Sequence, residues 1–429
     1  MVRNGSSGAV GQNSQGIEVL ATLGAWATFC VALISRAPVL FEADDYAYRA
    51  SIVALRSGLI TLTQSQYSQL NSTLKGHQAF GIYQWTHLSN GNWISEKNPG
   101  YAFFAEPFYF LGNLHLAPAF YSLLAVGGLY LGARRWIGSW AGFVASVCFL
   151  FTGASLTYGY RVTMPTFTEA CLITSALGLL LWSCNTDQTN RLRTFVSSAG
   201  FILLGAAVFS RYTNVVIYFG ALIVLMVWHK RLRFTPSARL SWLGVTAVIA
   251  TIILGYNQHF YGGWFKTGYT SQHFSTSLAN FPKNIWEISP FLLESMPVLV
   301  LAAWGAVKLL RRPRPNQSLI GESSRSPQIT GYLLVLCVVL PWGLYFGYDR
   351  TALHLSANAG LHVVRFYVPA LGALALLAAW QLMRLGSKAR VVIIAILVVL
   401  SFWSFAALTK QVPPAPGQPG GAPLWSTVG

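Results

Sequence analysis

The sequence predicts an all-α protein built as a polytopic transmembrane helical bundle, and three observations carry that prediction. Of its 429 residues, 54% are hydrophobic and only 10% charged, too few charged groups to clothe a soluble protein of this size. The apolar residues fall into runs of roughly 17 to 25, the length a helix needs to cross about 30 Å of hydrocarbon. The 29 Lys and Arg, against 12 Asp and Glu, sit in short clusters between those runs. That is the pattern of basic cytoplasmic loops and not of a nucleic-acid binder, so no nucleic-acid partner is expected.

About eleven spans are expected on this length criterion: 17–35, 117–131, 140–158, 165–182, 195–209, 213–228, 242–260, 290–309, 332–348, 366–383 and 391–408. Residues 1–16 read as a flexible cytoplasmic leader, 17–409 as the transmembrane domain and the Pro/Gly-rich stretch 410–429 as a disordered tail. No small-residue cleavage site follows the first run, which therefore reads as a retained helix and not a signal peptide. Residues 102–111 are too few to cross and are interrupted by Glu106 and Pro107, which suits a re-entrant or interfacial helix. "RRPRPNQSLIGESSRSP" reads as a flexible inner loop.

With the N-terminus inside, more than half of the basic residues fall on short cytoplasmic loops, among them Arg134, Arg135, Arg191, Arg193, Lys230, Arg231 and Arg233. The loops 41–116, 261–289 and 349–365 then lie outside, with most of the acids: Glu42, Asp44, Asp45, Glu96, Glu106, Glu287, Glu294 and Asp349. Polar chemistry is expected on that extracytoplasmic face. Five cysteines without a close pair imply neither a disulfide framework nor a metal site.

Directly after the first span, "FEADDYAYRASIVALRSG" has the pattern of an amphipathic helix lying along the outer interface, with 41–116 as a first extracytoplasmic loop bearing such helices. Asp45 and Arg49 are spaced for a helical ion pair, which leaves Asp44 in the first turn as an available base. The same acids would equally cap a helix and solvate an interface. Asp44 with Asp45 could hold a divalent cation, although the two supply few ligands; no other cofactor is implied. Lys97 stands beside the chain break at Pro99 and Gly100, where it can meet an anionic headgroup or simply snorkel. Glu106, within an apolar stretch, is expected to face a cavity or a partner. Arg161, Arg211 and Arg365 lie near outer ends of spans and offer the fork that suits phosphate, or anchor the protein in the membrane. In "GYNQHFYGGWFKTGYTSQHF", Tyr256, Asn257 and Tyr269 belong to a mixture suited to stacking on sugar faces, or to an aromatic belt.

In order along residues 17–385, the acidic pair, "KNPGYAFFAEPFYFLG", "RVTMPTF", "FSRYTN", "YNQHFYGGWFKTGY" and "RFYVPALGAL" resemble the GT-C type membrane glycosyltransferases, in the manner of the bacterial protein-mannosyltransferase and RgtA/B/C/D-like branch. The resemblance implies a GT-C-like multi-span core, a catalytic acid in the first outer loop, a polyprenyl-phosphate sugar donor and inversion at the anomeric centre. It implies Asp44 as the base with Asp45 its neighbour, Lys97, Arg161, Arg211 and Arg365 on the donor phosphate, and Glu106, Tyr256, Asn257 and Tyr269 against the substrate. The acceptor would be a glycan, lipid or protein, with membrane lipids around the bundle. The chain departs from the family at Asp45, where a Glu is common, at Asn98, where a Pro is common, and near Thr166, where an acid is frequent. Two other readings stay open: a secondary transporter or lipid flippase with Glu106, Glu169 and the arginines along its path, and a non-catalytic scaffold.

Overall fold

The computed structural model describes residues 7–34, 43–75, 84–184, 188–269, 275–311, 326–349 and 363–410. The first span is α1 (Ser7–Ile34). It begins well before residue 16, so most of the expected leader is helical; the Gly, Ser and Asn there lie beyond the apolar stretch Gln15–Leu33. The expected inner loop 312–325, most of the expected outer loop 349–365 and the tail 411–429 lie outside the described residues.

The segment before the second span carries the interfacial helices expected of it and a feature that was not expected. α2 (Ala43–Arg56) opens with Asp44 and Asp45 in its first turn. β1 (Thr61–Leu62), α3 (Gln64–Lys75), β2 (Trp85–His87) and β3 (Trp93–Ser95) follow, the strands pairing antiparallel in the order β1-β3-β2. Asn90 and Gly91 turn the hairpin, with Gly91 at φ 86°, a conformation glycine adopts without strain. α4 (Gly100–Phe110) is the short apolar helix around Glu106. Tyr48 and Ile52 of α2 pack on Tyr101, Ala102 and Ala105 of α4, which seats the two helices together.

The bundle continues with α5 (Leu116–Trp136), α6 (Ala141–Leu150), α7 (Gly153–Tyr160), α8 (Pro165–Ser183), α9 (Asn190–Ser210), α10 (Val215–Trp228), α11 (Pro236–Tyr261), α12 (Phe281–Ser295), α13 (Val298–Leu310), α14 (Ser326–Phe346), α15 (Leu371–Leu382) and α16 (Ser387–Lys410). Seven described helices are long and apolar enough to cross a membrane, or nine if α6 with α7 (bent 61°) and α12 with α13 (bent 106°) each count as one span. The two remaining expected runs form shorter apolar helices, Tyr212–Trp228 and Val368–Leu382, so length alone does not bring the count to eleven.

At the centre is α8, with 89% of its apolar stretch buried, whereas α11 and α16 bury only 11% of theirs and face outward. Close packing of α8 on α5 depends on small residues: a Cβ on Gly178 would lie 2.1 Å from the Gly128 carbonyl oxygen. Between apolar helices in lipid, such backbone approach is a main source of association.

Candidate functional site

At one end of the bundle, segments far apart in sequence bring their charged side chains into one cluster. Asp44, in the first turn of α2, lies 2.9 Å from Lys97 Nζ through Oδ1 and 2.8 Å from Arg365 Nη1 through Oδ2. Its side chain is 15% exposed and that of Lys97 6%. The expected unpartnered base is thus an ion-paired one, because both cations arrive by tertiary packing that no helical spacing reveals. Burial alone would raise the Asp44 carboxyl, but the charges of Lys97 and Arg365 outweigh it and hold the group well below the ordinary carboxylate range. Burial would likewise lower Lys97, yet Asp44 keeps its ammonium above the ordinary lysine value.

Asp45 is fully buried. It accepts from Arg161 Nη2 at 2.6 Å and Thr163 Oγ1 at 2.7 Å, and neither the Asp45 nor the Arg161 side chain is exposed. The expected role of Arg49 as its helical partner therefore gives way to a cross-chain pair. Arg161 caps the C-terminus of α7, and Tyr101 Oη donates to the neighbouring Val162 carbonyl, so α2, α4 and the α7–α8 turn are fastened at one point. All four oxygens of Asp44 and Asp45 are engaged by cations or a hydroxyl. As they stand, the two carboxylates do not present a joint face to a divalent cation.

Arg211, following α9, places Nη2 3.1 Å from Glu169 of α8 and donates to Thr166 Oγ1 at 3.3 Å; Asn214 Nδ2 donates to the other Glu169 oxygen at 2.6 Å. The Arg211 and Arg365 guanidinium groups both lie against the Phe366 ring, at 5.9 and 4.9 Å from its centre, which puts them in one neighbourhood. Tyr269 and Tyr48 flank Lys97, with ring centres 5.2 and 5.9 Å from Nζ. Two glycines permit this assembly. A Cβ on Gly100 would lie 2.5 Å from the Phe209 backbone, and one on Gly268 would lie 2.5 Å from Glu96 Cα. Glu96, beside Lys97, is 8% exposed, and burial pushes its carboxyl up against the pull of that lysine.

The structure therefore gathers Asp44, Asp45, Lys97, Arg161, Arg211, Arg365 and Tyr269. It does not gather Glu106, which lies 3.9 Å from Arg56 at the far end of α2, some 18 Å from Asp44 at about 1.5 Å per helical residue. The acid expected to face a cavity faces a surface arginine instead. Asn257 is occupied structurally, accepting from Tyr212 Oη at 2.9 Å and donating to the Trp264 carbonyl at 3.3 Å, while Tyr256 lines a cleft beside Lys97. Thr163, Thr166, Asn214 and Tyr48 were not expected at the site. Glu169 had a signal, since an ionisable group inside a span calls for a partner or a pathway.

The architecture compares with known proteins as follows. It matches the ArnT structure from Cupriavidus metallidurans bound to undecaprenyl phosphate with a TM-score of 0.59 and 16% identity, covering 95% of this chain and 66% of that one. The fold is that of the GT-C glycosyltransferases. Apo ArnT matches at 0.55 and 16%, covering 90% of this chain and 63% of that one. The archaeal oligosaccharyltransferase AglB from Archaeoglobus fulgidus, in complex with an inhibitory peptide and a dolichol-phosphate, matches at 0.52 and 13%, covering 92% of this chain and 55% of that one. The chain thus spans about two thirds of the length of ArnT and little more than half of AglB. The family model for dolichyl-phosphate-mannose-protein mannosyltransferase matches residues 109–256. That stretch holds Arg161, Glu169 and Arg211 of the GT-C core but stops short of Asp44, Lys97 and Arg365. Among proteins of curated function, none matches the sequence.

Proposed function

We propose that this chain is a membrane glycosyltransferase that moves a sugar from a polyprenyl-phosphate donor to a glycan, lipid or protein acceptor at the extracytoplasmic face, with inversion. The observation that carries the reading is the double ion pair of Asp44 with Lys97 and Arg365, set among Arg161 and Arg211 at one end of a GT-C fold. Two of the cations, Lys97 and Arg365, converge on the single carboxylate of Asp44, an arrangement that can also receive an anion.

The chemistry follows from those charges. The anomeric carbon breaks its bond to the donor phosphate oxygen as the acceptor oxygen attacks from the opposite side. Lys97 and Arg365 offset the charge growing on the departing phosphate, and Asp44 receives the acceptor proton. A phosphate seated on Lys97 and Arg365 shares their charge with Asp44 and so returns basicity to a carboxylate that they otherwise hold down. Arg161, with no exposed surface, holds Asp45 and steadies α2 without touching the lipid.

An extracytoplasmic site is supported by the loops at the other end of the bundle. α9 begins beside Arg191 and ends at Arg211, which puts the cluster opposite the basic run that follows α10. The placement of Glu106 against Arg56, away from the cluster, favours transfer over a transport path lined by these acids. Titrating the purified protein in lipid nanodiscs with polyprenyl phosphate, alongside a transfer assay, tests the reading. Asp44→Asn should bind the lipid and transfer nothing; near-normal turnover in that variant would refute it.

A further inference from the structure

Helix α12 meets α13 at a bend of 106°, so it lies nearly crosswise to its neighbour. α13 packs on α14 and on α15, where a Cβ on Gly305 would lie 2.4 Å from the Leu377 carbonyl oxygen. Its 13 residues cover only about 20 Å of the roughly 30 Å of hydrocarbon. A helix laid on its side across that end adds about 10 Å and makes up the difference. The surface of α12 divides into three strips. Asn284, Ile288, Leu292 and Ser295, three or four apart, are buried. Trp286 and Leu293, seven apart on the opposite side, are bare, Trp286 being 82% exposed, with Ile285 exposed beside them. Lys283, Glu287 and Glu294, four and seven apart, form a narrow charged strip between the two. α12 also lies at the end of the bundle that holds the charged cluster. Asn284 Nδ2 donates to the Phe346 carbonyl at 2.7 Å, and Tyr345 stacks at 4.7 Å on Phe366, the ring against Arg365 and Arg211.

We propose that α12 is seated on its side in the bilayer leaflet at this end, with Trp286 and Leu293 against acyl chains and Lys283, Glu287 and Glu294 at the headgroups, so that the partner of its bare face is lipid. Three observations choose this occupant. α12 packs on α16, which buries only 11% of its apolar stretch, so the bare face continues a surface that already meets lipid. Trp on an apolar face beside a charged strip is the composition of an interfacial helix, and Trp settles at headgroup level. The strip holds one cation against two acids, so the seating rests on apolar area and not on attraction to anionic headgroups. The expected span 290–309 is accordingly divided: its first residues belong to α12 and lie along the surface, and α13 alone crosses.

The test attaches a nitroxide to the full chain in phosphatidylcholine nanodiscs, through Lys283→Cys, Trp286→Cys, Glu287→Cys or Leu293→Cys in turn. It reads collisions with oxygen, which concentrates among acyl chains, and with a nickel chelate, which stays in water. The native cysteines are buried, and the unsubstituted chain supplies the background. Labels at 286 and 293 should favour oxygen and those at 283 and 287 the chelate, a reversal of the ratio within little more than one helical turn. Chelate access at all four positions would put the face in water, and oxygen access at all four would make α12 part of a span. Protection of 286 and 293 from both agents would give the face to a protein, whether a second copy or another partner. Each of these outcomes overturns the proposal. Adding anionic lipid should leave the pattern as it is; a pattern that arises only with anionic lipid overturns the apolar seating. No arm depends on sugar transfer, so the result stands apart from the donor reading.

Discussion

Helix α9 has an arginine near each end, buried at one and partly exposed at the other, and the two do different work. Arg193, in the first turn, donates to the backbone carbonyls of Ser183, Leu232 and Arg233 and to the Asn190 side chain, with Phe234 against its guanidinium carbon at 4.4 Å. Arg211, just past the last turn, meets a carboxylate and a hydroxyl. Eighteen residues separate them, about 27 Å along the helix. At the Arg193 end the cation satisfies carbonyls that α8 and the 229–234 turn leave open, a purely structural use, repeated where Arg390 donates to the carbonyls of Leu382, Met383 and Leu385. At the Arg211 end, cations face carboxylates, and two of them, Lys97 and Arg365, converge on one. A basic residue at a helix end therefore says little about function until its partner is known: backbone carbonyls mark a fastening, and cations converging on a shared carboxylate mark a candidate anion site.

The largest effect that would sharpen this contrast is at Asp44. Asp44→Asn keeps the shape and loses the proton acceptor, so transfer per folded molecule should fall by roughly 10²- to 10⁴-fold, whatever stability is lost with its two ion pairs. At the other end, Arg193→Met leaves buried carbonyls unpaired at about 1–3 kcal/mol each. It should lower the melting temperature while sparing turnover per folded molecule. If the two variants produced the same kind of loss, the division between the ends would fail.

Next in size are the donor cations. Lys97→Met or Arg365→Met should each weaken polyprenyl-phosphate binding by about ten- to hundred-fold, since charge-assisted bonds are worth about 1.5–3 kcal/mol. Lipid titration checks this. Arg161→Met should behave differently, because its partner Asp45 has no exposed surface. Breaking a buried pair costs about 3–5 kcal/mol, so the variant should be destabilised, and the double variant Asp45→Asn with Arg161→Met should recover much of that loss. Thermal unfolding of the two single variants and the double decides it.

Much of this was legible in the sequence, for stated physical reasons. Span positions follow from hydrocarbon thickness, and the interfacial helices α2 and α4 follow from an amphipathic run and from an apolar stretch too short to cross. The residues that converge were legible by type and position: a lysine beside a chain break and arginines at span ends. Their partners were not, because Lys97 and Arg365 reach Asp44 from 53 and 321 positions away, and helical spacing instead suggested Arg49 for Asp45. Glu106 misled for a related reason: an acid in an apolar stretch does need a partner, but in an interfacial helix that partner can stand at the surface. The small sheet did leave a signal, Asn90-Gly91 between aromatic and β-branched residues, which the dominance of helical spans obscured.

The smallest expected effect is in the pH dependence of stability, and it separates the two ends without any substrate. Asp44 is held well below its ordinary value by Lys97 and Arg365. The stability it contributes is therefore fully present above about pH 3.9, the value of a free aspartate, and is lost as pH falls through the depressed value. Lys97 is raised by Asp44, so its contribution is fully present below about pH 10.4, the free lysine value, and is lost as pH rises through the higher one. Between those limits the pair stays charged, and no inflection from either group should appear at neutral pH. Thermal unfolding of wild type and of Asp44→Asn or Lys97→Met should accordingly differ by a constant amount from about pH 5 to 9, and both differences should shrink in strong acid, where Asp44 is protonated, and in strong base, where Lys97 is neutral. The Arg193 contacts are to carbonyls and an amide, which do not titrate, so the deficit of Arg193→Met should be constant from strong acid to about pH 9. An inflection near neutrality in the Asp44→Asn difference would mean that its carboxylate is not held by both cations.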